Sequence, residues 1–421
     1  MHMNKLKNIP WIVVFGFFLV TTTSCVEKYW PVLSLGESFL VVDGGINNFP
    51  GPYTIKLSYS SSLTDTLFIP ISSARVSILD DRGNEEILIQ NSPGIYKTSS
   101  LGIQGIIGRS YKVSILLENG ETYESELEEL LEPINVEELI AEEEWQYAQN
   151  ILEVDQEGLR FNVKTKANST SNTYLIWEIE ETYEYHSVAP IMYYYDGSIL
   201  SEGSSNNFGL QRMKNMNSLF CCWKTETLSQ NFHYSFENMS SDEAHQIPLH
   251  FIPYGDKRLR YGYNIQVNQF VISKDAYTFI NELEKQNENQ GTLFTTQPFQ
   301  IKGNILNTLN PSEIVLGYFK VASGSLGPRI QVRAPWRRYK RPICYTLTSD
   351  SLIHNFLISS NSDDWPLYFT DYPFENPMNT LENIIIFAYV APSCVDCTRH
   401  GGTTNKPYFW EEWNKAIDYS D

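Results

Sequence analysis

The stretch "GRSYKVSILLENGETYESE", residues 108–126, decides the fold. Two runs of strand character meet at Asn119-Gly120. That dipeptide suits the positive φ angles of a tight hairpin turn, so the stretch predicts two antiparallel strands. The same grammar extends upstream. "FLVVDGGI" (residues 39–46) reads as an apolar strand ending in Asp-Gly-Gly, and "YTIKLSYSS" (53–61) alternates apolar and polar residues. "ARVSILDDRGN" (74–84) is a strand followed by an Asp-Arg-Gly turn, and "GIYKTSS" (94–100) is a further piece. Short alternating runs separated by Gly and Asn turns describe a β-sandwich of immunoglobulin-like kind, expected over residues 39–133.

Downstream, "ESELEELLEPINVEELIAEEEW" (124–145) contains no Lys or Arg. Pro133 interrupts it, and a charge run of this kind reads as a solvated acidic connector at a domain boundary. The strand signal returns in "LRFNVKTKA" (159–167). In "TYLIWEIEETYEYH" (173–186), Trp177 and Ile179 fall on one face, Glu178 and Glu180 on the other. "YGYNIQVNQFVIS" (261–273) is another long strand. Ser273 then caps a helix near 273–289, whose Ala276, Phe279, Ile280 and Leu283 form an apolar stripe at helical spacing. "FQIKGNILN" and "IVLGYFKVASGS" are strands again. Residues 134–393 are therefore expected to form a larger β-rich domain with one packed helix, and the fold class is mainly β.

The N-terminus, "MHMNKLKNIPWIVVFGFFLVTTTSC", has a basic start, about ten apolar residues and a small-residue exit, the pattern of a secretory signal. Thr22, Thr23 and Ser24 before Cys25 favour a lipoprotein signal over residues 1–24. Cys25 is then the lipidated first residue, and 25–38 a tether. Several acyl chains at about 0.8 kcal/mol per buried methylene would hold such a chain firmly on a membrane. Loss of Lys5 and Lys7 moves the formal charge from -19 to -21. So acidic a chain is a poor nucleic-acid binder, because phosphate contacts need clustered Lys and Arg. The one basic stretch, "RAPWRRYKRP" (333–342), reads as a local surface feature.

Catalytic signatures are missing. The sequence holds no Gly-x-Ser-x-Gly elbow, no phosphate loop and no Gly-x-Gly-x-x-Gly element. "DEAHQIPLH" lacks the helical His spacing of metalloproteases. The expectation is a non-enzymatic protein without cofactor or metal; a glycan- or peptide-directed hydrolase remains the weaker alternative. High aromatic content, with 26 Tyr, suits strand and recognition surfaces alike. Tyr193, Tyr194 and Tyr195, in "HSVAPIMYYYDGS" (186–198), are the candidate binding loop; a Tyr-rich strand is the alternative.

With Cys25 acylated, five cysteines remain: Cys221, Cys222, Cys344, Cys394 and Cys397. In an oxidising compartment most should pair. Cys394 and Cys397 open "CVDCTRHGGTTNKPYFW" (394–410), where "TRHGGTTNKP" is a poor helix start for a redox centre and His400 alone is too few extra ligands for zinc. The expected pairing is Cys394 with Cys397 as a tight staple, and Cys344 with Cys221 or Cys222. Gly401 and Gly402 then turn a 394–421 segment whose Tyr408, Phe409, Trp410 and Trp413 anchor the chain end.

The order of these pieces resembles the domain-of-unknown-function 4249 family, lipoproteins of Bacteroidota. The resemblance runs from Cys25 through "FLVVDGGI", "ARVSILDDRG" with "GIYKT", "YLIWEIEETYEY", "VNQFVISKDAYTFINELEKQ" and "PFQIKGNILNTLNPSEIVLGYFKVAS" to the C-terminal cysteine segment. It covers nearly the whole mature chain, and the first sandwich also looks like a transthyretin-type domain. It implies an outer-membrane lipoprotein encoded beside a TonB-dependent receptor, serving it as accessory or cargo-binding partner. A structural or adhesive envelope role is the alternative. The stretch after the lipid site, "VEKYW", carries only Glu27, which leaves the membrane face open, periplasmic or surface.

Overall fold

The computed structural model describes residues 38–60, 69–148, 154–167, 173–196, 210–212, 219–237, 244–289, 301–333, 344–348, 350–360, 366–372 and 386–411. The signal segment, Cys25, the tether up to residue 37, Trp413 and all but the first residue of the basic stretch lie outside them.

The described residues form four sheets, and the expected mainly-β class holds. The largest runs, edge to edge, through Cys221–Thr227, Tyr174–His186, Tyr263–Ile272, Val315–Val332, Leu40–Asn47, Thr54–Tyr59, Ile95–Lys97 and Ile89–Ser92. Its N-terminal half packs on a second sheet that contains Arg75–Asp80, Ser110–Leu116 and Thr122–Ser125. Leu40, Val42, Ile55 and Leu57 meet Val76, Ile78, Val113 and Ile115 there, the inward residues of alternating strands. Its other half packs on a three-stranded sheet of Val136–Gln146, Gln156–Lys166 and Ala244–Pro253, with Phe161, Trp177, Ile179, Tyr263 and Val267 between.

The hairpin at Asn119-Gly120 forms. Ser114, Ile115 and Leu116 pair with Glu124, Tyr123 and Thr122, and Gly120 takes φ +87°. The segment "FLVVDGGI" does not end at its glycines: the strand runs through them from Leu40 to Asn47. One edge of it pairs antiparallel with Thr54–Tyr59, the other parallel with residues 315–322. The 18-residue strand Val315–Val332 therefore belongs to both sandwiches. Its first half enters the N-terminal core through Val315, Phe319 and Val321, and its second half pairs with Tyr263–Ile272. Sheets cross the boundary expected at Pro133, and deleting residues 39–130 would remove a central strand.

The acidic connector is corrected to a strand. Val136–Gln146 pairs along its length with Gln156–Lys166, which supplies the missing cations. Arg160 lies 2.8 Å from Glu144, and Lys166 lies 2.7 Å from Glu137. Leu139 points inward and is buried. The expected helix is Lys274–Asn289, here α1. Ser273 Oγ accepts the Ala276 N–H at 3.1 Å as its cap. It is not alone: α2 spans Asp350–Ser359, and a short turn of helix, α3, spans Pro392–Val395. None of the helices described is long and apolar enough to cross a membrane.

Between the large sheet and the three-stranded one sits a buried charge network. Glu181, 1% exposed, accepts from Tyr263 Oη at 2.7 Å and from Arg258 Nη1 at 3.1 Å. Arg258 also holds Asp256 in a two-pronged contact at 2.9 and 3.1 Å. His250 lies 3.4 Å from Arg258 and 3.8 Å from Glu181. Burial, with the charges of Arg258 and Arg160, pushes the His250 imidazole down to about 4; Asp256 opposes this weakly. The unfolded chain binds a proton there below about pH 6.5 while the folded chain does not, so stability falls as pH drops from 6.5 toward 4. His250→Gln should flatten that loss by roughly 2 kcal/mol at about pH 4.5 in urea titrations compared with pH 7. Parallel pH profiles for the two proteins would contradict the assignment.

Candidate functional site

The cysteines pair otherwise than expected. Cys222 bonds Cys397, and Cys344 bonds Cys394. Cys221 is free. The two members of the Cys-x-x-Cys pair sit in different turns, Cys394 inside α3 and Cys397 at the start of the 3-10 turn Cys397–His400. Each reaches a separate partner strand or loop, so the pair is neither a local staple nor a dithiol. Adjacent residues of a strand face opposite sides, which settles the choice at "FCCWK". Cys222 lies at 0% exposure in the core beside Tyr185, and Cys221 faces away from it.

The chain end is docked beyond that bond. Trp223 and Thr403 exchange backbone hydrogen bonds of 2.8 and 2.9 Å. Tyr185 Oη donates to the Cys397 carbonyl at 2.6 Å. Gly401 supplies the left-handed turn at φ +82°. Trp410 is buried against Trp223, and the Arg329 guanidinium lies over the Phe409 ring. Tyr408 is 98% exposed and anchors nothing.

A cleft of about 1010 Å³ lies under α1, between the helix and the sheet. One wall is the predicted stripe: Ala276, Phe279, Ile280 and Leu283. The facing wall is the parallel ladder, including Gly44, Gly45 and Gly317. Glycine is required there. A Cβ on Gly45 would stand 2.1 Å from the Lys320 carbonyl, and one on Gly317, whose φ is +97°, would stand 1.9 Å from that of Val42. The ladder can close only without these side chains. Tyr53, Glu178 and Lys320 add polar groups to a mainly apolar lining. A few placed polar groups in an apolar hollow of this size are the usual make-up of a ligand pocket.

A second cluster lies on the large sheet's edge. Glu184 and His186 are two apart on Tyr174–His186 and share a face. Cys221 is the cross-strand partner of His186, so its thiol joins them. His186 Nε2 lies 2.6 Å from Glu184 Oε1, and Cys221 Sγ lies 3.5 Å from the same oxygen. Burial pushes the Cys221 thiol up to about 12, with Glu184 adding to the shift. Burial is the largest influence on the Glu184 carboxyl and raises it, but the contacts with His186, Cys221 and Trp410 together outweigh it and the net shift is downward. The residues were visible as "EYH" and "CC"; the register joining them was not.

Tyr193, Tyr194 and Tyr195 form a strand instead of the expected loop, paired with Leu367–Tyr372 in the five-stranded sheet. Tyr195 is 5% exposed in the core there, alongside Ile353 and Phe369. Tyr194 donates to Gln211 at 2.6 Å. None of the three lines the cleft.

A family model described as Domain of unknown function (DUF4249) matches residues 26–325, well over half of the chain. The matched region holds the cleft, Glu184, His186 and Cys221, while Cys344, Cys394 and Cys397 follow it. None of the curated proteins matches the chain.

Proposed function

The chain belongs to the domain-of-unknown-function 4249 family, and from that premise we propose a non-enzymatic binding protein held on the bacterial outer membrane by a lipid at Cys25. In this reading it serves a TonB-dependent receptor as accessory or cargo-binding partner, on the periplasmic or the surface face. The observation that carries the reading is the cleft under α1, about 1010 Å³ with an apolar helix stripe on one side and the parallel ladder on the other. A hollow of this size suits a small molecule or a short peptide. Signal-pattern residues before Cys25 support the anchor, and the two disulfides fit an oxidising compartment. The Leu40–Asn47 ladder, which ties the N-terminal sandwich into the body, favours one binding unit over a detachable spacer.

The test is purification of the tagged full-length protein from its native outer membrane in mild detergent, read by mass spectrometry. A receptor barrel in stoichiometric amount, together with an extractable ligand, is the expected result. Leu283→Trp narrows the cleft and should cut ligand recovery at least about tenfold, the effect of losing roughly 1.4 kcal/mol of binding. The receptor should remain. Recovery of the lipoprotein alone, or with matrix components, would replace this function by an adhesive or structural one.

A further inference from the structure

We propose that Glu184, His186 and Cys221 form a zinc-class metal site on the edge of the large sheet, with the fourth position open to solvent. The three donor atoms all lie within 4.8 Å of one another. A tetrahedral ion has ligands at about 2.0 Å for nitrogen and oxygen and about 2.3 Å for sulfur, which places neighbouring donors roughly 3.3–3.6 Å apart. The carboxylate–thiol separation, 3.5 Å, already has that value. The carboxylate–imidazole separation is 2.6 Å, a hydrogen bond whose proton occupies the ion's place. Opening it by less than 1 Å admits the metal, a movement within reach of two side chains that are each about 20% exposed.

The surroundings hold the donors in place. The Tyr261 ring stacks on His186 at 3.7 Å, with Phe220 at 5.1 Å on the same imidazole. The Trp410 side chain hydrogen-bonds to Glu184. Cys221 is fixed by its neighbour's disulfide to Cys397. Such supporting contacts orient ligands and raise affinity. The charge count also closes: a carboxylate, a neutral imidazole and a thiolate together neutralise a divalent cation. Binding releases the thiol proton to solvent, and no electron is transferred. Mixed sulfur, nitrogen and oxygen donors suit zinc, and three protein ligands with an open position are the arrangement of zinc sites that take up a further ligand. The residue that strand alternation turns away from the disulfide is thereby the one the metal uses.

Cobalt substitution tests this. The full-length protein, purified without reductant, should bind Co²⁺ one to one, with a thiolate charge-transfer band in the near ultraviolet and visible bands of tetrahedral type. Zn²⁺ should erase both. Cys221→Ser should abolish the charge-transfer band, and Glu184→Gln should weaken binding by at least about 100-fold, the upper effect of losing even a supporting contact. Absence of the band in the unaltered protein, or its persistence in Cys221→Ser, overturns the site. Should Cys221→Ser fail to fold, His186→Gln carries the same decision: unweakened sulfur-bound cobalt in that variant rejects the proposal.

Discussion

Arg258→Met should lower the free energy of unfolding by roughly 3 kcal/mol, the lower end of what removing one partner of a buried ion pair costs. The lower end applies because the Arg258 side chain is 20% exposed. The loss comes from Glu181, not from the arginine itself. Glu181 is at 1% exposure, and burial raises its carboxyl even with Arg258 in contact. Without the guanidinium, the Tyr263 hydroxyl at 2.7 Å is the hydrogen-bond donor left to the carboxylate among the described residues, with His250 standing off at 3.8 Å. Its pKa should then climb further. A carboxyl whose folded pKa is raised binds its proton more tightly in the folded state, so stability is regained as pH falls through that value. The variant should therefore recover on mild acidification, in the direction opposite to the His250 effect. Glu181→Gln in the same background should restore part of the loss, and the double-mutant cycle should show strong coupling. Urea titrations of the four proteins at two pH values decide it. A loss under about 1 kcal/mol would show that solvent, not Arg258, holds the Glu181 charge.

Such a network illustrates what was legible in the sequence and what was not. Alternation placed Trp177 and Ile179 inside and Glu178 outside, as found. In the structure Glu181 lies on the inward face too, in register with Ile179, Tyr183 and Tyr185, and periodicity alone gives no reason for a buried acid there. The reason is Arg258, 77 residues away in sequence. The acidic run at 136–146 failed for the same cause. Its neutralising residues, Arg160 and Lys166, sit on the next strand, and a window of sequence contains only the acids. Local signals did better. Asn119-Gly120 and the Ser273 cap are decided within a few residues, and both formed as expected. The cleft was half legible. The α1 stripe was read as a packing face, and the glycines of "FLVVDGGI" as a strand end. Only the parallel pairing with residues 315–322, which no local pattern announces, sets the two opposite each other. Long-range register likewise decided the cysteines, since "CVDC" offers a near partner while the fold supplies distant ones.

Removing the Cys222–Cys397 bond should cost more than removing Cys344–Cys394. The first closes a separation of 175 residues and the second 50. Chain entropy alone gives roughly 5 kcal/mol for the longer loop and about 1 kcal/mol less for the shorter. Packing widens the gap, because Cys222 and Cys397 are both at 0% exposure in the core shared with Tyr185 and Val267, whereas Cys344 and Cys394 are only partly buried. The paired Cys222→Ala, Cys397→Ala variant should also free the docked chain end, since the Trp223–Thr403 bridge then loses the disulfide beside it and the nearest covalent tie is at Cys394. Limited proteolysis should cut near residue 400 in that variant and spare the unaltered protein. Cys222→Ala alone is the sharper experiment. If strand alternation holds, Cys221 faces Glu184 and cannot replace its neighbour, so Cys397 stays reduced and the stability loss is nearly that of the pair. A new Cys221–Cys397 bond with unchanged stability would mean that the strand slips by one residue. That slip would carry the thiol away from Glu184 and His186 and dismantle the metal site as well, so a single mass-spectrometric map of the disulfides bears on both ends of the argument.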